Sequence, residues 1–215
     1  MLDENLVAGL VKRKVVTDTF RRLPPEKKNL IYETAVGLFG RYGYDGLPVD
    51  RFCRDAGISK GSFFQYFPSK SHLLEFVILI FDDYFARWIG EVRKQDKGGL
   101  ARVRLQHLYH AVVMNAKLYP AEKQFYMFAT HALAHSGIEI SGIDIERHVH
   151  SYVREIIERG EETGEIRSDI RIDQTGHLLA VIFGALVGRE FGNKGGPPRP
   201  SGEYLISMLF DGIKA

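Results

Sequence analysis

The stretch GISKGSFFQYFPSK, residues 57–70, sets two lysines among three phenylalanines and a tyrosine. A buried helix has no use for the lysines, and an exposed one has no use for so many rings, so the segment needs two unlike faces. Ser59 can cap a helix through its hydroxyl, and Pro68 closes it, leaving about two turns from Lys60 to Phe67. Phe63 and Phe67, four apart, share the inward side. Lys60, Ser62, Phe64, Gln65 and Tyr66 fall on the outward arc. Just upstream, VDRFCRDA (49–56) reads as another two-turn helix with Val49, Phe52, Cys53 and Ala56 inward, broken at Gly57. Two short helices meeting at a glycine turn form a helix-turn-helix, whose second helix enters the major groove of DNA.

The outward residues suit that place one by one. Gly61 lets the backbone approach a phosphate, and the Ser59 end offers unpaired N–H groups and a positive dipole. Lys60 and Lys70 can meet the strand as cations, which positions a protein without reading sequence. Ser62 stands beside them. Gln65 carries the donor and acceptor pair that matches the major-groove edge of adenine; the alternative for it is a solvated side chain. Phe64 and Tyr66 offer apolar contact to a thymine methyl, and Tyr66 also a hydroxyl for a phosphate.

The run VDRFCRDAGISKGSFFQYFPSKSHLL resembles the DNA-binding segment of the tetracycline-repressor (TetR) family of bacterial regulators. The match lies at Ala56, Gly57, Ser59, Lys60, Gly61, Tyr66, Phe67, Ser69, Lys70 and Leu73, with conservative changes at Ile58, Ser62 and Phe63, and covers about residues 28–75. The resemblance implies a homodimer, each subunit with an N-terminal DNA-reading domain and a variable C-terminal domain that binds a small inducer. Three features depart from the family pattern. Phe64 replaces the usual tyrosine and so lacks its hydroxyl. Leu47-Pro48 stands where threonine or serine commonly caps the second helix. About 24 residues precede the first helix, including VKRK (11–14) and FRR (20–22). That extension is either a basic arm for an adjacent groove or a helix packed on the domain; Leu6, Leu10, Val11 and Val15 share a face and favour packing.

The charge agrees with a polyanion at one end. From Lys12 to Lys70 there are 12 Lys/Arg against 6 Asp/Glu, whereas from Phe76 onward there are 17 against 18, within a net charge of only +2. The single cysteine, Cys53, excludes an internal disulfide framework and fits a reducing compartment. The first residues place acids before a short apolar run, the wrong order for a secretory signal. The longest apolar runs, LLEFVILIF and GHLLAVIFGALVG, fall short of the roughly 20 residues of a membrane span. A cytoplasmic location is expected.

Helical periodicity runs through nearly the whole chain. The expectation is an all-α fold of nine or ten helices: an N-terminal three-helix helix-turn-helix domain (25–69), preceded by the extension (1–24) and joined through a long helix from residue 70 to a larger helical domain (70–215). The family resemblance assigns ligand binding and dimerisation to that larger domain. In the long helix Leu73, Val77, Phe81, Phe85, Trp88 and Val92 should face inward. Helices are expected near 100–117, 121–135, 143–163 and 174–191, the last capped by Asp173, and a final one over EYLISMLFDGI; HSGIEISG (135–142) and GNKGGPPRPSG (192–202) read as loops.

Gly176, Ala180, Gly184 and Gly188 form a stripe of small residues that permits close approach of another helix, either in a dimer or within the chain. Phe81, Phe85, Trp88, Tyr109, Met114, Phe125, Tyr126, Phe128 and His131 are either plain core or the lining of a pocket for a small apolar or aromatic effector. His107/His110 and His131/His135 have spacings compatible with metal, but no HExxH pattern or nearby cysteine supports them. No nucleophile is paired with a base and no phosphate-cradling glycine loop occurs, so neither a metal site, a cofactor nor an enzyme is expected. The expected partner is double-stranded DNA carrying a near-palindromic site.

Overall fold

A computed structural model describes residues 2–96, 98–135, 147–191 and 202–212. The fold is all-α, with eleven helices and no β-strand among the described residues. They are α1 (Glu4–Lys12), α2 (Asp18–Arg21), α3 (Pro25–Tyr42), α4 (Val49–Asp55), α5 (Lys60–Tyr66), α6 (Lys70–Gln95), α7 (Ala101–Leu118), α8 (Pro120–His135), α9 (Arg147–Glu162), α10 (Ile172–Phe191) and α11 (Gly202–Asp211). None is long and apolar enough to cross a membrane. The two expected loops, and the expected start of a helix at Ile143, lie outside the described residues apart from their edges.

The chain divides into two compact units. One holds Met1–Tyr84 with Tyr119–Ile143, and the other Phe85–Leu118 with Asp144–Ala215. The first therefore contains more than the helix-turn-helix: α8 lies along α3, the most extensive helix pairing among the described residues. Gly40 makes this possible, because a Cβ there would stand 2.8 Å from the backbone nitrogen of Phe125. Phe128 of α8 then stacks on Phe39 of α3, with ring centroids 6.1 Å apart and planes 4° from parallel.

The N-terminal extension is packed helix. Asp3 caps α1 by accepting from the Asn5 amide, and Thr17 caps α2 by accepting from the Phe20 amide. Its inward residues are Val7, Leu10, Val15, Val16 and Phe20. Of the face expected from the sequence, Leu6 and Val11 are only half-buried, because α1 is turned by about one residue toward Val7. Lys14 ends α1 at φ 61°, with its amide on the Val11 carbonyl and that of Val15 on Leu10. This is the bond pattern of a Schellman stop without the customary glycine.

In the second unit, α10 pairs with α9, and α7 packs on α9, α10 and α11. Glu165, which follows a glycine stop at Gly164 (φ 75°), receives the amides of Ala101 and Arg102 and so caps α7. Asp173, expected to cap α10, lies inside it, since the helix begins one residue earlier at Ile172; its carboxylate pairs instead with Arg154 at 2.9 Å. A polar cluster sits among these helices. Tyr152 donates to Asp96 at 2.5 Å, Arg104 meets Glu155 at 3.1 Å, and burial first, then the Asp96 bond, pushes the Tyr152 phenol up to about 12. His107 spends its Nδ1 on the same Asp96.

Candidate nucleic-acid interface

The helix-turn-helix is built from four local devices. Leu47, where a capping hydroxyl is usual, is fully buried, and α4 starts behind Pro48 with no side-chain cap. Gly57 at φ 60° ends α4; its amide bonds Arg54 O at 3.2 Å, and that of Ile58 bonds Cys53 O at 2.9 Å, a glycine stop that turns the chain toward α5. Lys27 of α3 ties the turn down from outside, its ammonium 3.0 Å from Ala56 O and 3.1 Å from Gly57 O. Ser59 then caps α5, accepting from the Ser62 amide at 2.9 Å, with the two hydroxyls 2.9 Å apart.

The two sides of α5 are as different as its sequence suggests. Phe63 and Phe67 are fully buried, the first set edge-on against Phe52 at 5.8 Å and the second against Phe76 at 5.4 Å. On the outer arc Lys60, Gly61, Phe64 and Gln65 are exposed, Phe64 by 51%, and Ser62 and Tyr66 half-exposed. Lys60 forms an ion pair with Asp50 at 2.9 Å, so α5 meets its surroundings with its one cation shared. Cys53 lies behind the helix; burial first, then the Asp50 carboxylate, raises its thiol pKa, which leaves it a core residue and not a nucleophile.

Gly61 faces open space, since the nearest atom to a Cβ added there is Ser59 Oγ at 3.7 Å. Gly61→Ala should therefore stabilise the fold by about 0.5–1 kcal/mol while weakening duplex binding, because the methyl points where a phosphate would come. Thermal melting and fluorescence anisotropy on one sample check both signs; unchanged DNA affinity would remove the close-approach role.

One other candidate side chain is engaged within the protein. Lys70, expected on a phosphate, donates to Tyr44 O at 2.9 Å and Leu47 O at 3.3 Å and lies over the Tyr44 ring. Its ammonium closes the loop between α3 and α4. The far end of α5 is held by the extension. Thr17 donates its hydroxyl to Gln65 O at 2.5 Å and its amide to Tyr66 O at 3.1 Å, and Phe20 packs on Tyr66, Phe67 and Phe76 at centroid distances of 6.2, 5.3 and 5.1 Å. The sequence signal for this clamp was a capping threonine three residues before an aromatic residue, readable only as a helix start.

The remaining candidate residues divide between the units. In the first, Phe81 packs on Phe125 at 5.2 Å and on Tyr126 at 6.5 Å, Phe128 is half-buried and His131 exposed. In the second, Phe85 packs on Trp88 at 5.5 Å, Tyr109 is buried, and Met114 is 52% exposed. Gly176 faces its own chain, with Arg154 Cα and Cβ of α9 each 3.6 Å from an added Cβ. Ala180, Gly184 and Gly188 lie on α10, but their packing falls outside the described residues. Among the described residues no group of three or more His, Cys, Asp or Glu is placed to hold a metal ion.

A helix-turn-helix with its second helix bared is the arrangement by which DNA-binding regulators enter the major groove. Residues 31–77 match the profile of bacterial regulatory proteins of the tetR family. Over 90 residues the chain is 38% identical to the uncharacterized HTH-type transcriptional regulator YuxN of Bacillus subtilis, a match spanning 41% of this chain and 31% of that protein. Two solved structures are similar over nearly the whole length. A TetR family transcriptional regulator from Chloroflexus aurantiacus has a TM-score of 0.68 at 21% identity, covering 93% of this chain and 99% of that one. The ketosteroid transcriptional regulator KstR2 of Mycobacterium tuberculosis has a TM-score of 0.60 at 20% identity, covering 90% and 97%. Residues 31–77 therefore resemble the helix-turn-helix segment of the tetR family, and the rest of the chain shares the all-helical fold of those structures.

Proposed function

We propose that the chain binds a specific, near-palindromic DNA site as a homodimer, represses from it, and is released by a small molecule. The observation that carries the DNA-binding part is α5 itself, with Phe63 and Phe67 sealed in the core while Lys60, Gly61, Phe64 and Gln65 stay exposed. Ser59, Lys60 and Gly61 are assigned to the strand backbone, with Ser62 and Tyr66 flanking, and Gln65 and Phe64 to base edges. Lys70 acts through the loop it fastens. Dimerisation is assigned to the α9–α10 pair: with Gly176 turned to α9, the outward apolar residues Leu178 and Val181 of α10, 58% and 49% exposed, offer the contact. A two-fold dimer sets its reading helices about 34–36 Å apart, one DNA turn, or a multiple of it.

The ligand-responsive part draws on a regulator of similar fold whose name attaches it to ketosteroids, and on the aromatic residues gathered within the first unit, Phe81, Phe125, Tyr126 and Phe128, as candidate walls for an apolar effector. Selection of bound duplexes from a random pool tests the DNA reading. The expected product is an inverted repeat whose affinity falls steeply with salt, as phosphate contacts release counterions. Recovery of no common sequence, or of one lacking two-fold symmetry, would count against it. Melting the protein against a library of apolar compounds tests the effector.

A further inference from the structure

The extension and α3 together border a half-open cavity of about 390 Å³ whose lining includes Glu4, Asp18, Arg21, Arg22, Pro25 and Lys28. Five of these side chains are charged, and none bonds to another. Lys28 is only 5% exposed, yet its ammonium has no hydrogen-bond or ion-pair partner among the described residues. Its stem is packed away while the ammonium, which is not among the enclosed polar atoms, opens into the cavity. The first turn of α3, an 18-residue helix entered through Pro24 and Pro25, borders the same space through Pro25 and Lys28.

We propose that this cavity binds a small molecule through an oxyanion, a carboxylate or a phosphate, held by Lys28 and Arg21. Three cations against two carboxylates leave a charge of +1 at the lining, which suits one anionic group. Glu4 and Asp18 can accept hydrogen bonds from hydroxyl or ammonium groups on the rest of such a ligand. The size falls within the range for small-molecule sites. A duplex is the less suitable source of the phosphate: a polymer strand meets cations that stand out from the surface, as Lys60 does, whereas Lys28 is recessed. The site sits one short helix from α5, since Asp18 and Arg21 belong to the α2 that Thr17 and Phe20 fasten to Gln65 and Tyr66.

The test is thermal melting of the full chain with inorganic phosphate exchanged for chloride at constant ionic strength. The expected result is a saturable rise of about 5 °C or more at roughly a hundredfold excess over Kd. Arg21→Gln and Lys28→Met should each abolish it and leave only the general salting effect of phosphate. Arg21 is exposed, so its variant keeps the test decisive should the buried substitution impair folding. No saturable rise in the unaltered protein, or an equal rise in the Arg21 variant, overturns the proposal. So does loss of phosphate binding whenever excess duplex is added, which would assign the site to the DNA backbone. The melting readout needs no DNA, so its failure is separate from failure of the DNA-binding reading.

Discussion

Phe20→Ala should destabilise the first unit by about 3–5 kcal/mol, the range for truncating a fully buried phenylalanine. Phe20 has no exposed surface and its ring meets those of Tyr66, Phe67 and Phe76, so three elements lose contact with one substitution. Domains hold together by only about 5–15 kcal/mol, and the loss is a large part of that. Urea unfolding followed by circular dichroism gives the value. A second readout distinguishes a merely structural residue from one that aims α5. At a temperature where the variant stays folded, duplex affinity should still fall, because the α2 that fixes Gln65 and Tyr66 through Thr17 has lost its anchor. A stability change below about 1 kcal/mol would mean that the extension rests on the domain without being part of it.

Lys60→Glu should leave stability nearly unchanged and weaken duplex binding by about tenfold or more near 0.15 M salt. The pair it removes, with Asp50, is exposed on both sides, by 61% and 72%, and surface pairs of this kind contribute about 0–1 kcal/mol. The phosphate contact it removes is the only one α5 can make with a full positive charge. The loss should be similar for all sequences, with a flatter salt dependence. Asp50→Asn should act in the opposite sense, freeing Lys60 and removing a carboxylate beside the strand, so binding strengthens a few-fold. Anisotropy titrations over a salt series measure both; a Lys60→Glu variant that binds like the original would place α5 off the DNA.

The helix-turn-helix was readable because its signals are local. Ser59, Gly57 and the Phe63/Phe67 spacing each act within a few residues, and the structure uses them as caps, stops and core. What was not readable depends on distant partners. Gly40 looks like any helical glycine until α8, some eighty-five residues later, is laid across it. Lys70 reads as a surface cation until the carbonyls of Tyr44 and Leu47 are brought to its ammonium. The clamp of Thr17 on Gln65 joins residues 48 apart, and no periodicity can encode such a pairing. Asp173 differs for a smaller reason, since Arg154 on the neighbouring helix competes for the carboxylate that could have capped α10.

The crossing at Gly40 also bears on how the protein is born. Because α8 completes a unit whose other parts all precede Tyr84, the ribosome must release about fifty further residues before the DNA-reading half can close its seam. Until then Phe39 and its neighbours stand bare on the nascent chain, exposed to whatever chaperones or sticky partners are at hand.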